Sequence, residues 1–181
     1  MAKTEKLVEI HPFEAFVPKG IEYLIVGSFP GREHTQSEVP EGQWFYGARR
    51  NQFWKILEDV YGRELKHRIE KEALFSELRM GITDIIKRAV RIENTNLDQN
   101  LDIIEYNYDR IGEILKKKTL KKVFFTSRFV EKEFKKAFPA YPHTEVLPSP
   151  SPRYATISRA QKVAIYKEKL PKPGSSKTIN K

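Results

Sequence analysis

The chain has 181 residues, with 33 Lys and Arg against 24 Asp and Glu for a formal charge of +9, and it contains no cysteine. At roughly 150 residues per domain this is one domain, and 39% hydrophobic with 12% aromatic residues excludes a disordered chain. Without thiolates there is no disulfide, zinc–thiolate cluster or iron–sulfur centre, while the basic surplus fits a nucleic acid as well as it fits ordinary solubilising charge.

The first residues, Met1-Ala-Lys-Thr-Glu-Lys, lack the apolar stretch of a signal peptide. No run approaches the roughly 18 apolar residues of a membrane span. A soluble, cytoplasmic protein is expected. Residues 21–26 form a mostly apolar run closed by Gly27 and predict a buried strand. A helix is expected over 51–61, with Phe53, Leu57 and Val60 on one stripe, and another over 64–79, with Leu65, Ile69 and Leu78 turned inward. Residues 81–86 read as a short strand. The four-three-four spacing of Ile104, Tyr108, Ile111 and Leu115 predicts a helix over 100–118.

Residues 122–126 predict the next strand, followed by a helix that turns Val130, Phe134 and Ala137 to the core. Residues 144–147 make a last short strand, running into Pro-Ser-Pro-Ser-Pro. Ser158 and Gln161 have the spacing of a capping box, with Ile157 as its staple, and open a final helix whose inner stripe is Val163, Tyr166 and Leu170. Pro171 stops that helix. The expected organisation is a single domain over 1–170 and a flexible basic tail over 171–181.

Strands separated by helices imply an α/β fold with a mainly parallel sheet covered on both faces. Its ligand crevice lies beyond the carboxyl ends of the strands, which selects the loops 27–50, 87–100, 126–128 and 148–154. The first of these opens Gly27-Ser28-Phe29-Pro30-Gly31, where two glycines allow a ligand close to main-chain N–H groups. The same loop carries Trp44, Phe45 and Tyr46, then Arg49, Arg50 and Asn51 at the start of a helix. Aromatic rings stack on bases and arginines bind phosphates. At least one of Trp44 and Phe45, and Trp54 as well, is expected to be core instead. The loop Leu147-Pro148-Ser149-Pro150-Ser151-Pro152-Arg153-Tyr154 is stiffened by three prolines, suited to press on a phosphodiester or to fill the gap left by an extruded nucleotide.

Four segments in order, Gly27 to Gly31, Tyr46 through Asn51-Gln52-Phe53-Trp54, Gly81-Ile82-Thr83-Asp84, and Leu147 to Ser151, resemble the uracil-DNA glycosylase superfamily. The resemblance runs from about Tyr23 to Leu170. Its nearest branch is that of the hypoxanthine-DNA (deoxyinosine) glycosylases, which read Gly-Ser-Met-Pro-Gly and Leu-Pro-Ser-Thr-Ser-Pro in the first and last motifs. The mismatch-specific uracil-DNA glycosylases are more distant. The resemblance implies a three-layer α/β/α fold on a short four-stranded sheet, and a monofunctional, monomeric enzyme needing no cofactor or metal. Its partner is DNA containing a damaged or mismatched base.

Most of the superfamily carries Asp or Asn in the first motif to orient the attacking water. This chain has Phe29, which can orient nothing by hydrogen bonding. In the hypoxanthine branch an asparagine opening the following helix takes that role, here Asn51. Asp84 is the second catalytic candidate, with an N-cap or an ion pair with Lys87 or Arg88 as its structural alternative. Gly27, Ser28, Phe29, Pro30, Gly31 and Tyr46 would hold the base. Arg49, Arg50, Lys87, Arg88, Arg91, Ser149, Ser151, Arg153 and Tyr154 would face DNA. Histidines 11, 34, 67 and 143 show neither metal-ligand spacing nor a partnered nucleophile. A DNA-binding module without chemistry, and a hydrolase of free nucleosides, are the competing readings.

Overall fold

The computed structural model describes residues 7–174. In chain order its elements are β1 (Val8–Ile10), β2 (Tyr23–Gly27), α1 (Arg32–Thr35), α2 (Phe53–Tyr61), α3 (Arg68–Glu77), β3 (Met80–Asp84) and β4 (Ile86–Arg91). After a 3-10 turn (Asp98–Asn100) come β5 (Leu101–Tyr106), α4 (Tyr108–Leu115), β6 (Lys122–Phe125), α5 (Arg128–Ala137), β7 (Thr144–Val146) and α6 (Arg159–Lys169). Strands β3-β2-β6-β7 form an all-parallel sheet in that order.

Successive strand residues face opposite ways, and the core divides accordingly. Ile25 and Phe124 join Phe53, Ile56, Leu57, Phe75 and Tyr166 beneath α2, α3 and α6. Leu24, Val26, Val123 and Phe125 join Ile111, Ile114, Val130 and Phe134 beneath α4 and α5. A sheet covered on both sides needs apolar side chains at nearly every position, which is why these strands read as unbroken apolar runs. The three-layer α/β/α expectation is met. The capping box at Ser158 and Gln161 is also present. Trp44, Phe45 and Trp54 are all core.

A second sheet, antiparallel in the order β1-β4-β5, departs from the expectation. The helix expected over 100–118 begins only at Tyr108; the residues before it pair with β4. Ile104 is 48% exposed, because along a strand it alternates with Ile103 instead of sharing a helical stripe with Tyr108. The first part of the supposed loop 87–100, through Arg91, is likewise strand. The strand expected over 81–86 is the end of β3 and the start of β4, separated by Ile85 alone. Ile69, expected inside, is 76% exposed on a helix shorter than predicted, whereas Leu65 and Leu78 are buried. The expected tail over 171–181 lies mostly outside the described residues. Among the described residues no helix is long and apolar enough to cross a membrane.

Candidate active site

The first motif leaves the parallel sheet anchored on both sides. The carbonyls of Gly27 and Ser28 accept from the backbone N–H groups of Ile85 and Ile86 at 2.8 and 3.1 Å. Behind the motif, the Arg91 guanidinium bonds both Glu9 oxygens at 3.0–3.2 Å, the Pro30 carbonyl at 3.1 Å and the Thr95 carbonyl at 2.9 Å. It also lies 5.9 Å from the centre of the Phe29 ring. The Arg91 and Glu9 side chains are 4% and 1% exposed. Burial alone would raise the Glu9 carboxyl, but hydrogen bonds from Arg91, Thr35 and Gln36 outweigh it and hold the group below its ordinary range. Arg91, expected on a phosphate, is therefore a buried clamp on the motif: every face of its guanidinium is engaged inside the protein.

Above the end of β2, side chains from three segments converge. A Cβ on Gly27 would collide with the Tyr46 hydroxyl and with Asp84 Oδ1, so only glycine lets those two groups meet there. Tyr46 adopts a left-handed backbone, φ 57, a conformation uncommon for a bulky residue and found where surrounding structure enforces it. Its ring stacks on Phe53 at 4.1 Å, and its hydroxyl lies 3.0 Å from Thr126 Oγ1 at the end of β6. Burial first, then the charge of Asp84, pushes the phenol far above its ordinary range. The hydroxyl stays protonated.

Asp84 does not pair with Lys87 or Arg88. Those two residues flank Glu105, at 2.7 and 3.6 Å. Instead His11 Nε2 donates to Asp84 Oδ2 at 2.7 Å, with the two side chains 6% and 7% exposed. The Phe13 backbone N–H donates to His11 Nδ1 at 3.1 Å, which leaves the ring proton on Nε2. Sequence reasoning missed this histidine, and a partner 73 positions away offers no spacing to read. It also missed Asp98. The Ser28 hydroxyl donates to that carboxylate; burial, aided by the Asp84 charge, pushes it up to about 6 against the opposing effects of Ser28 and Arg91. His34, taken for a loop residue, is buried in α1, and burial lowers its pKa.

The second half of the site is built on the start of α2. The Phe53 N–H bonds Asn51 Oδ1 at 2.9 Å. A backbone N–H needs an acceptor, so the oxygen of the carboxamide is taken, and its NH2 makes no hydrogen bond among the described residues. Next to it, the Gln52 N–H donates to the Pro150 carbonyl at 2.9 Å, tying the proline loop to the helix start. Within that loop Ser149 Oγ accepts from Ser151 N at 3.2 Å and Ser151 Oγ from Arg153 N at 3.3 Å. Buried beneath it, Lys162 reaches Gln52 Oε1 at 3.2 Å and the Ser151 carbonyl at 3.4 Å. Arg49, Arg50 and Arg153 are exposed and form no ion pair among the described residues. Tyr46, Asn51 and Ser149 thus belong to adjoining segments. The larger groove, about 470 Å³, runs past Ser127, Leu147, Ser149, Tyr154 and Lys169, and a smaller pocket of about 100 Å³ adjoins His11, Thr83, Asp84 and Asn107. Neither is lined by Tyr46 or Asn51.

A parallel sheet bearing a glycine-flanked turn, an aromatic shelf and a proline loop at its carboxyl edge defines an α/β protein that receives its ligand at the strand ends. The family model of the uracil DNA glycosylase superfamily matches residues 14–170, and the chain belongs to that superfamily. It is similar to a protein from Methanosarcina acetivorans, solved by solution NMR and named a "putative Uracil DNA glycosylase", with TM-score 0.67 and 24% identity, covering 90% of this chain and 98% of the other. That likeness supports the fold. Among curated proteins no match is found. Glu9 and His11 both precede the segment matched by the family. Among the described residues no group of three or more His, Cys, Asp or Glu is arranged to hold a metal ion.

Proposed function

We propose that this protein is a DNA glycosylase that everts a deaminated base, uracil or hypoxanthine, and hydrolyses its N-glycosidic bond to leave an abasic site. The observation that carries the reading is the meeting of Tyr46, Asp84 and Thr126 over Gly27, beside a helix start tied to a proline loop. Tyr46 is the stacking shelf for the base, backed by Phe53. The Ser28 and Phe29 main-chain N–H groups and the Asn51 NH2 donate to its carbonyl edge, where negative charge develops as the base departs. The bond from Phe53 N to Asn51 Oδ1 fixes the carboxamide with its NH2 unpartnered among the described residues, which favours a role on the base side for Asn51 and leaves Asp84 to orient the water. Uracil and hypoxanthine both present a carbonyl beside a ring N–H, which such donors could read.

Eversion costs a few kcal/mol, and less for a mispaired base. Ser149, Ser151, Arg153 and Tyr154 stand where the nucleotide leaves the stack, and Arg49 and Arg50 hold phosphates. Duplexes carrying one labelled uracil or hypoxanthine, incubated with the protein and treated with alkali, test the reading. Strand breakage at the lesion is the expected result. A shifted band without breakage would identify a binding module instead, a reading favoured by Phe29 standing where most of the superfamily has Asp or Asn. Inhibition by free nucleosides but not by undamaged DNA would point to a nucleoside hydrolase.

A further inference from the structure

We infer that His11, from the N-terminal segment outside the family match, is a positioning residue that holds Asp84 as the water-activating carboxylate in place of the Asp or Asn missing at Phe29. The inference rests on the glycosylase reading above and assigns a role within it. Three observations join. Phe29 packs edge-on against His11, ring centres 6.0 Å apart, so the motif position that lacks its water-orienting side chain touches the residue that grips a carboxylate. The His11 proton is fixed on Nε2 by the Phe13 N–H on Nδ1 and donates to Asp84 Oδ2. Its grip leaves Oδ1 as the oxygen that closes on Gly27 beside the Tyr46 hydroxyl.

The carboxylate is thus held by one oxygen and presents the other, the arrangement that fixes the direction of a proton acceptor. In the reaction, the water oxygen bonds C1′ of the deoxyribose as the bond from C1′ to the base nitrogen breaks, its electron pair leaving with the base. The proton shed by the water passes to Asp84 Oδ1 and from there to the departing base. His11 donates one hydrogen bond to Asp84 Oδ2 throughout. Ser28, Asp98 and Arg91 complete the polar surroundings: Asp98 adds negative charge next to Asp84, Arg91 offsets it.

His11 sits among the rings of Phe13, Phe29 and Phe45, at 5.9, 6.0 and 5.4 Å, so the donor can be removed without emptying the space. His11→Phe keeps the aromatic packing and deletes the N–H; His11→Gln keeps an N–H near the Nε2 position. Single-turnover excision, DNA affinity and melting temperature are measured for both, alone and combined with Asp84→Asn. The expected result is a loss of kcat of about 10- to 100-fold for His11→Phe, in the range by which removing outer-shell partners weakens a site. Affinity should be unchanged, His11→Gln should largely restore the rate, and His11→Phe should lower the rate no further once Asp84 is Asn. Equal activity of the two His11 variants, whether both intact or both lost, overturns the role, as does an additive loss in the double variant. If the unaltered chain cleaves no lesion, the proposed function fails and this role with it; if it does cleave, the variants judge His11 alone.

Discussion

Asp98 carries a stability cost that can be measured without any substrate. Its carboxyl is moved from an ordinary 3.8 to about 6, so between those pH values the folded chain holds a proton that the unfolded chain has already released. At about 1.4 kcal/mol for each tenfold change in proton affinity, ionised Asp98 destabilises the fold by about 3 kcal/mol. The sign follows from the direction: an acid whose folded pKa is raised costs nothing below about pH 4, costs more as pH climbs towards 6, and costs a constant amount above that. Asp98→Asn removes the ionisation while preserving shape and an acceptor for the Ser28 hydroxyl. Thermal unfolding followed by circular dichroism should therefore place the variant above the unaltered chain at pH 8, by several degrees at about 2–4 °C per kcal/mol for a chain of this size, with the difference vanishing towards pH 4. A variant equally or less stable at pH 8, or one whose advantage does not change with pH, would refute the argument that burial, aided by the Asp84 charge, disfavours ionised Asp98. Groups kept in that condition are common at functional sites.

Replacing Asn51 with Ala should lower single-turnover excision by about 100-fold, the scale for losing one donor to a developing anion, while fluorescence anisotropy shows unchanged DNA affinity. Arg91→Ala leaves Glu9 buried without its partner and should destabilise the fold by about 3–5 kcal/mol in urea unfolding, whereas a phosphate-binding role would lower affinity with little effect on stability. Replacing Arg50 with Ala should reduce the slope of log affinity against log salt by about 1 and weaken binding alike across sequences.

Much of the architecture was written in local patterns. Strands buried on both faces must be apolar almost throughout, so β2 and β6 could be read directly, and the stripe of α2 and the capping box of α6 obey rules that act within one helical turn. The Gly27–Gly31, Asn51 and Pro148–Pro152 segments also announced themselves, because tight turns, helix starts and stiff loops demand particular residues. The three-stranded sheet did not. Its strands β4 and β5 face a core on one side only and carry Lys87, Arg88, Arg91, Asp102 and Glu105, and the run from Ile104 to Leu115 imitates a helical stripe across a boundary set by pairing with β4.

The chemistry divides along the same line. Which residues could bond a base, stiffen a loop or attract phosphate is a property of side-chain type, and the chain determined that alone. Which of them are available was decided by folding: Arg91 was spent on Glu9, the oxygen of Asn51 on its own helix, and Asp84 was oriented by a histidine 73 positions distant. A hydrogen bond depends on a few tenths of an ångström and on direction. Those quantities exist only once the pairing of β1 with β4 has carried His11 to the end of β3.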